Sequence, residues 1–147
     1  MATIDGIEYP EHLHYDVDNQ IWYEDLGDGN LRTGFTPISI SLAGDVLVFT
    51  PKRVGRDFEK NRSFATIECG KWVGAARAAF PGIVVAANPE LDNRPKFLNL
   101  DAFGKGWMLI VRPSIPNWRD GLVTGAAVQT AFKDWIDAES YKDRSEG

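Results

Sequence analysis

The sequence predicts a mainly β protein, a sandwich or flattened barrel with a short helix and a C-terminal amphipathic helix. Three observations predict it. Short runs rich in β-branched and aromatic residues recur along the chain, separated by Gly, Pro and Asp-Gly punctuation. Thr36-Pro37 has the form of a helix start, an N-cap threonine followed by proline in the first turn. Near the C-terminus the apolar spacing changes to a helical one.

Taken in order, residues 1–14 are expected as a loose N-terminal arm, and residues 15–147 as one domain. Asp28-Gly29 is a tight-turn signal, so strands should flank it near 21–24 and 30–35. The helix from Pro37 should run through Leu42 and end at Gly44. Residues 45–50 form a β-rich run that Pro51 closes. A strand at 64–68, a turn at 69–72 and a weaker return strand at 73–78 follow. Further strands are expected at 83–87, after Pro81-Gly82, and at 107–112, before Pro113. Val128, Phe132, Trp135 and Ile136 share one face of a helix expected over 125–142.

A chain of 147 residues with 44% apolar content fits one domain with a real core, and five Trp and eight Phe supply much of its volume. The formal net charge of −5 argues against nucleic acid, where basic patches do the binding, and leaves basic protein partners open. Cys69, the one cysteine, forms no internal disulfide and fits a reducing compartment. No signal-peptide core is visible near the N-terminus, and the apolar run 83–87 is far too short to span a membrane. A cytoplasmic location with no membrane partner is therefore expected.

The chemistry inventory is sparse. His12 and His14 would share a face in an extended segment, but further ligands at metal-site spacing are missing, so a solvated arm is the favoured reading. No serine or cysteine nucleophile with a histidine base, no P-loop and no dinucleotide fingerprint can be assembled. Such a chain suits a carrier that imports its chemistry on a cofactor and is no enzyme itself.

The remaining signal is a run of short motifs in fixed order. Thr33-Gly34-Phe35-Thr36, Gly44-Asp45 before Val46-Leu47-Val48-Phe49, Gly55, Glu68-Cys69-Gly70-Lys71 and Gly82 come first. Asn88-Pro89-Glu90-Leu91, Pro95, Asn99 and Phe103-Gly104-Lys105-Gly106-Trp107 follow. Together they resemble the H protein of the glycine cleavage system, in which the lysine of a Glu-Ser-Val-Lys segment carries lipoate. The resemblance implies a barrel-sandwich hybrid of the biotinyl/lipoyl-carrier type, with lipoate joined by an amide to Lys71. It also implies a lipoate–protein ligase as partner, with Glu68 as its recognition element. Cys69, two residues before the lysine, is a candidate thiol near the arm, or else a small apolar filler. Biotin, the rival cofactor on such a fold, usually sits between methionines, whereas Gly70 and Trp72 flank Lys71.

The departures from the family pattern gather around the proposed arm. The N-terminal His-Glu-Trp appears as Asn19-Gln20-Ile21-Trp22, without the histidine, and Trp72-Val73-Gly74 follows the lysine in place of Ala-Ala-Ser. These changes direct the expected function to a related branch: lipoate-binding carriers that pass a sulfur-bearing intermediate to a heterodisulfide-reductase-like complex or sulfurtransferases. The alternative is carriage of an aminomethyl group among glycine cleavage enzymes, with dihydrolipoyl dehydrogenase as a partner. A third reading is an unlipoylated scaffold or regulatory module.

Overall fold

The structure, a computed structural model, describes residues 2–70 and 73–146, with side chains described through Glu139. The chain opens with β1 (Ala2–Ile4), β2 (Ile7–Tyr9), β3 (His14–Asp16), β4 (Ile21–Asp25) and β5 (Leu31–Phe35), then α1 (Pro37–Ala43). It continues through β6 (Val46–Pro51), β7 (Asp57–Phe58), β8 (Ser63–Cys69), β9 (Val73–Arg77) and β10 (Gly82–Ala87). Two short helices, α2 (Glu90–Asn93) and α3 (Phe97–Leu100), lead to β11 (Leu109–Pro113), a 3-10 turn at Gly125–Ala127 and α4 (Val128–Glu146).

The strands form a six-stranded antiparallel sheet in the order β3-β4-β5-β11-β10-β7, a three-stranded sheet β6-β8-β9 and a hairpin β1-β2. They do not close into a barrel, so the sandwich alternative holds. The expected strands, the first helix and the C-terminal helix are all present, with shifted ends. The β7 pairing and helices α2 and α3 were not legible: two residues carry no period, and single-turn helices give no apolar stripe.

Strand β4 shows how one sheet serves two cores. Alternate side chains of a strand point to opposite faces. Ile21 and Tyr23 face the main core between the two larger sheets, with Phe35, Phe49, Phe64, Ile67 and Phe80. Trp22 points the other way, into a second core built from Ala2, Ile4, Tyr9, Leu13, Tyr15, Val128 and Phe132. Across the ladder from Trp22 stands Gly34, where an added Cβ would lie 2.8 Å from the indole. The Thr33-Gly34-Phe35 motif is thus explained by ring packing. At Gly82 a Cβ would lie 2.6 Å from the Arg112 carbonyl oxygen, which accounts for the glycine that opens β10.

The second core corrects the expectation of a loose N-terminal arm. Ile4 pairs with Ile7 across Asp5-Gly6, whose φ angles of 52° and 77° make a two-residue primed turn. This is the same Asp-Gly signal that was legible at residues 28–29. The hairpin is held down from the other end of the chain: Gly125 N donates to the Glu11 carbonyl at 2.8 Å, and Thr124 Oγ1 to that of Leu13 at 2.8 Å. Tyr15 and Val123 exchange backbone hydrogen bonds of 2.8 and 2.9 Å. On α4, Phe132 is fully buried, whereas Trp135, expected beside it in the core, is only partly covered.

Helix α1 starts as expected. Ser39 N donates to Thr36 Oγ1, Pro37 occupies the first turn, and Gly44 N donates to the Ile40 carbonyl at 3.1 Å to close the last turn. Thr36 Oγ1 in turn donates to the buried Gln20 side-chain oxygen at 2.6 Å, tying α1 to the start of β4.

Candidate functional site

Strands β8 and β9 pair antiparallel, with Ile67 opposite Gly74 and Glu68 opposite Val73. The chain that joins them runs through Gly70, Lys71 and Trp72. Lys71 and Trp72, on which the attachment reading rests, lie outside the described residues. What is described is the frame around them. Glu68 is exposed at the outer face of β8, and Ile67 and Cys69 alternate inward to the main core. Asn99 pins this end of the sheet: Val46 N donates to its Oδ1 at 3.0 Å, and its Nδ2 donates to the Gly44 carbonyl at 2.7 Å. The Gly44-Asp45 and Asn99 motifs, far apart in sequence, thus form one clasp beside the hairpin.

The structure places Cys69 away from solvent. Its side chain is 7% exposed, and burial, together with the Asp45 carboxylate, pushes the thiol pKa up. The thiolate is the species that exchanges with disulfides, so a protonated, buried thiol fits the apolar-filler reading. Iodoacetamide should alkylate native Cys69 at least tenfold more slowly, roughly, than the unfolded chain, as burial and a raised pKa require. Equal rates in native and urea-unfolded protein would place the thiol on the arm side instead.

A groove of about 300 Å³ opens beside the hairpin. Ile67 and Ala75 line it from the hairpin, Phe35, Ile40, Leu42 and Ala43 from β5 and α1, and Trp135 from α4. Asn19, Gln20, Ser39 and Glu139 give it a polar side. Gln20 is fixed there by three hydrogen bonds. Its Nε2 donates to the Val17 carbonyl at 2.7 Å, its Oε1 accepts from Thr36, and its own carbonyl accepts from Thr36 N at 3.1 Å. Sequence reasoning missed this groove. The signal available was the segment Asn19-Gln20-Ile21-Trp22, where the family histidine is absent, together with a tryptophan one helical turn beyond Phe132.

Among the described residues no group of three or more His, Cys, Asp or Glu side chains could hold a metal ion. Exposed His12 lies 3.7 Å from the Glu24 carboxylate. His14 is partly buried against the Trp118 ring, with centroids 5.0 Å apart, and its Nδ1 has no hydrogen-bond partner. This departs from a solvated arm. Burial, then the Arg119 guanidinium, lowers the His14 pKa; Asp25 opposes them, and His12 adds to the lowering. As pH falls through the ordinary histidine range, the unfolded chain therefore binds a proton that the folded chain resists, and stability falls with it. The drop in melting temperature from pH 7 to pH 5 should be larger for the wild type than for His14→Gln. Equal drops would show that His14 does not contribute.

With this geometry in place, comparison with known proteins decides the family. The sequence profile described as Glycine cleavage H-protein matches residues 13–135. The chain belongs to the glycine cleavage H-protein family. Among relatives, it is 38% identical over 120 residues to glycine cleavage system H protein 5 of Aquifex aeolicus, covering 79% of this chain and 80% of that one. It is 33% identical over 135 residues to H protein 2 of the same organism, covering 91% and 84% of the two chains. A probable glycine cleavage system H protein 2 of Sulfurisphaera tokodaii is 31% identical over 144 residues, 97% of each chain. The crystal structure of a glycine cleavage system H protein from Mycobacterium marinum shares the fold, with a TM-score of 0.71, 24% identity and coverage of 83% and 98%. H-protein family members are non-enzymatic lipoyl carriers, and this chain is a carrier protein rather than an enzyme. No described helix is long and apolar enough to cross a membrane.

Proposed function

We propose that Lys71 is the lipoylated residue and that the chain works as an H protein, carrying an aminomethyl group among glycine cleavage enzymes. The observation that carries the reading is the β8–β9 pair, whose antiparallel strands flank residues 70–72, with the groove beside them. Attachment is an acyl transfer. The neutral Lys71 amine attacks the carbonyl of lipoate activated as its adenylate; the C–N bond forms, the C–O bond to phosphate breaks, and AMP and a proton leave. When bound, the lipoyl group supplies a reversible dithiol to which a carried group attaches.

The chain's own part is to position and shelter. The ladder fixes Glu68 opposite Val73, while Phe35, Ala43, Ile67 and Trp135 offer an apolar wall that excludes water. Gln20, Ser39 and Asn19 present hydrogen-bonding groups on the same groove. Glu68 stands outside, where an attaching enzyme meets it.

The names of the relatives favour glycine cleavage over the sulfur-carrier function expected from the sequence. That second reading keeps one specific support: Gln20, Gly70 and Trp72 depart from the family pattern around the groove and the turn. Loading decides between them. Lipoylated protein is offered glycine with glycine decarboxylase, and separately a reduced sulfur donor with sulfurtransferases, and intact mass is read. Aminomethyl loading is expected. Sulfur uptake without it would move the chain to the heterodisulfide-reductase-like partners, and a chain that takes no lipoyl group at all would be a scaffold.

A further inference from the structure

This acidic protein gathers positive charge at one pole. Residues 52–62 hold five basic residues against two acidic ones, Asp57 and Glu59, in a chain whose net charge is −5. Register sets where the pole lies. Pro51 pairs with Ala65 and Arg77 with Ser63, so the end of β6, the start of β8 and the end of β9 meet at one sheet end. Cys69 and Val73 stand at the other, roughly 20 Å away along β8 at the rise of a strand. Lys52, Arg53, Arg56, Arg62 and Arg77 occupy the pole, and the four arginines are exposed. Their backbone is fixed. Lys52 N donates to the Phe64 carbonyl at 3.0 Å, Gly55 N to that of Val84 at 2.8 Å, and Val84 N to that of Arg56 at 3.0 Å. Arg62 N donates to the Glu59 carbonyl at 3.1 Å, and Ala78 N to that of Arg62 at 2.9 Å. None of the five is held in an ion pair by a described residue. Lys60 differs, for it shares a polar cavity with Asp16, Asp18 and Asp120. Like charges gathered without partners repel one another, a cost that an anionic partner removes.

We propose that this pole docks an acidic face of another protein, which holds the carrier by one end and leaves the Glu68–Val73 end free. Chemistry selects the occupant. Val54, 61% exposed, stands in the sequence between Arg53 and Arg56. An apolar contact flanked by guanidinium groups is the make-up of a protein interface, where arginine is enriched. Single-stranded nucleic acid needs exposed rings to stack on, and Phe58 and Phe64, the aromatics of this region, are buried. Duplex DNA and anionic membranes spread negative charge well past the pole, against the acidic remainder of the chain. A membrane surface also calls for bulkier apolar anchors than one valine. A partner held here raises the local concentration of the carrier for enzymes that work at the other end. The docking does not depend on lipoylation of Lys71.

The test uses the unlipoylated full chain at low salt. Three probes are titrated: a labelled short peptide of alternating Glu and Leu, a short DNA duplex, and phosphatidylcholine vesicles containing phosphatidylserine. The peptide should bind tightest, and more weakly as salt is added. Arg53→Glu/Arg56→Glu should weaken it by about tenfold or more, while Lys96→Glu/Lys133→Glu, with the same change in net charge, should stay within about two-fold. In the wild type, the peptide should slow hydrogen–deuterium exchange over residues 52–62 and not over 66–70. This measurement needs no variant, so it carries the test if thermal melts show the double variant unfolded. Equal weakening by the two pairs, protection at 66–70 instead, or tighter binding to duplex or vesicles would overturn the proposal. So would self-association of the wild type in sedimentation that Arg53→Glu/Arg56→Glu abolishes, since the occupant would then be a second copy.

Discussion

Phe132→Ala should destabilise the protein by about 3–5 kcal/mol, the usual cost of truncating a buried aromatic. For a chain of this size that lowers the melting temperature by roughly 10 °C or more. The ring is fully buried and meets Tyr9 edge-on at 4.9 Å and Tyr15 at 5.3 Å between centroids. Phe103 approaches both tyrosines, and Trp22 closes the cluster and donates its indole N–H to the Ala102 carbonyl at 3.2 Å. Residues from both ends of the chain thus share one core, so opening α4 also frees β1-β2. Trp135→Ala, on the next turn but only partly covered, should cost clearly less. Thermal melts of the two variants measure the difference. A Phe132→Ala protein as stable as wild type would show that α4 does not close this core.

That shared core marks how far the sequence could be read. Apart from β7, the strands from Ile21 to Pro113 were legible because each carries either alternation or a punctuating Gly, Pro or Asp-Gly. The α1 cap was legible because Thr-Pro at a helix start has one physical meaning. Phe132 was legible as part of an apolar helical stripe; what the stripe would face was not. The N-terminal hairpin has three-residue strands in which only Ala2, Ile4 and Tyr9 turn inward, too short a run to show a period. Its burial depends on α4, more than a hundred residues away, and no local pattern encodes that contact. At the candidate site the same division holds. Alternation in β8 correctly separates Glu68 from its neighbours, and it sends Cys69 to the core, where the sequence left the side open. The groove escaped because it is made by distant segments, among them Asn19-Gln20, α1, the β8-β9 pair and Trp135, and no local pattern joins them.

Lys71→Arg should abolish the gain of one lipoyl group while leaving the far-UV circular dichroism unchanged. The argument is chemical. Acylation needs an amine that can lose its proton and present a lone pair to the activated carbonyl. A lysine ammonium does so within reach of an enzyme base, whereas a guanidinium keeps its proton throughout the accessible pH range and has its nitrogen lone pairs delocalised. Arginine nevertheless preserves charge and length, so the substitution separates the amine from every other property of the side chain. The other lysines lie elsewhere: Lys52, Lys60, Lys96 and Lys105 between elements, and Lys133 and Lys142 on α4. Lys105, for example, sits over the Phe97 ring, 5.5 Å from its centroid. None is delivered by a paired strand beside the Glu68–Val73 row. The measurement is intact mass after incubation with a lipoate ligase, lipoate and ATP, followed by peptide mapping. Wild-type protein should carry the added mass on the peptide containing Lys71 and nowhere else. A Lys71→Arg protein that still gains one lipoyl group would move the attachment to another lysine and break the link between the hairpin and the carrier function.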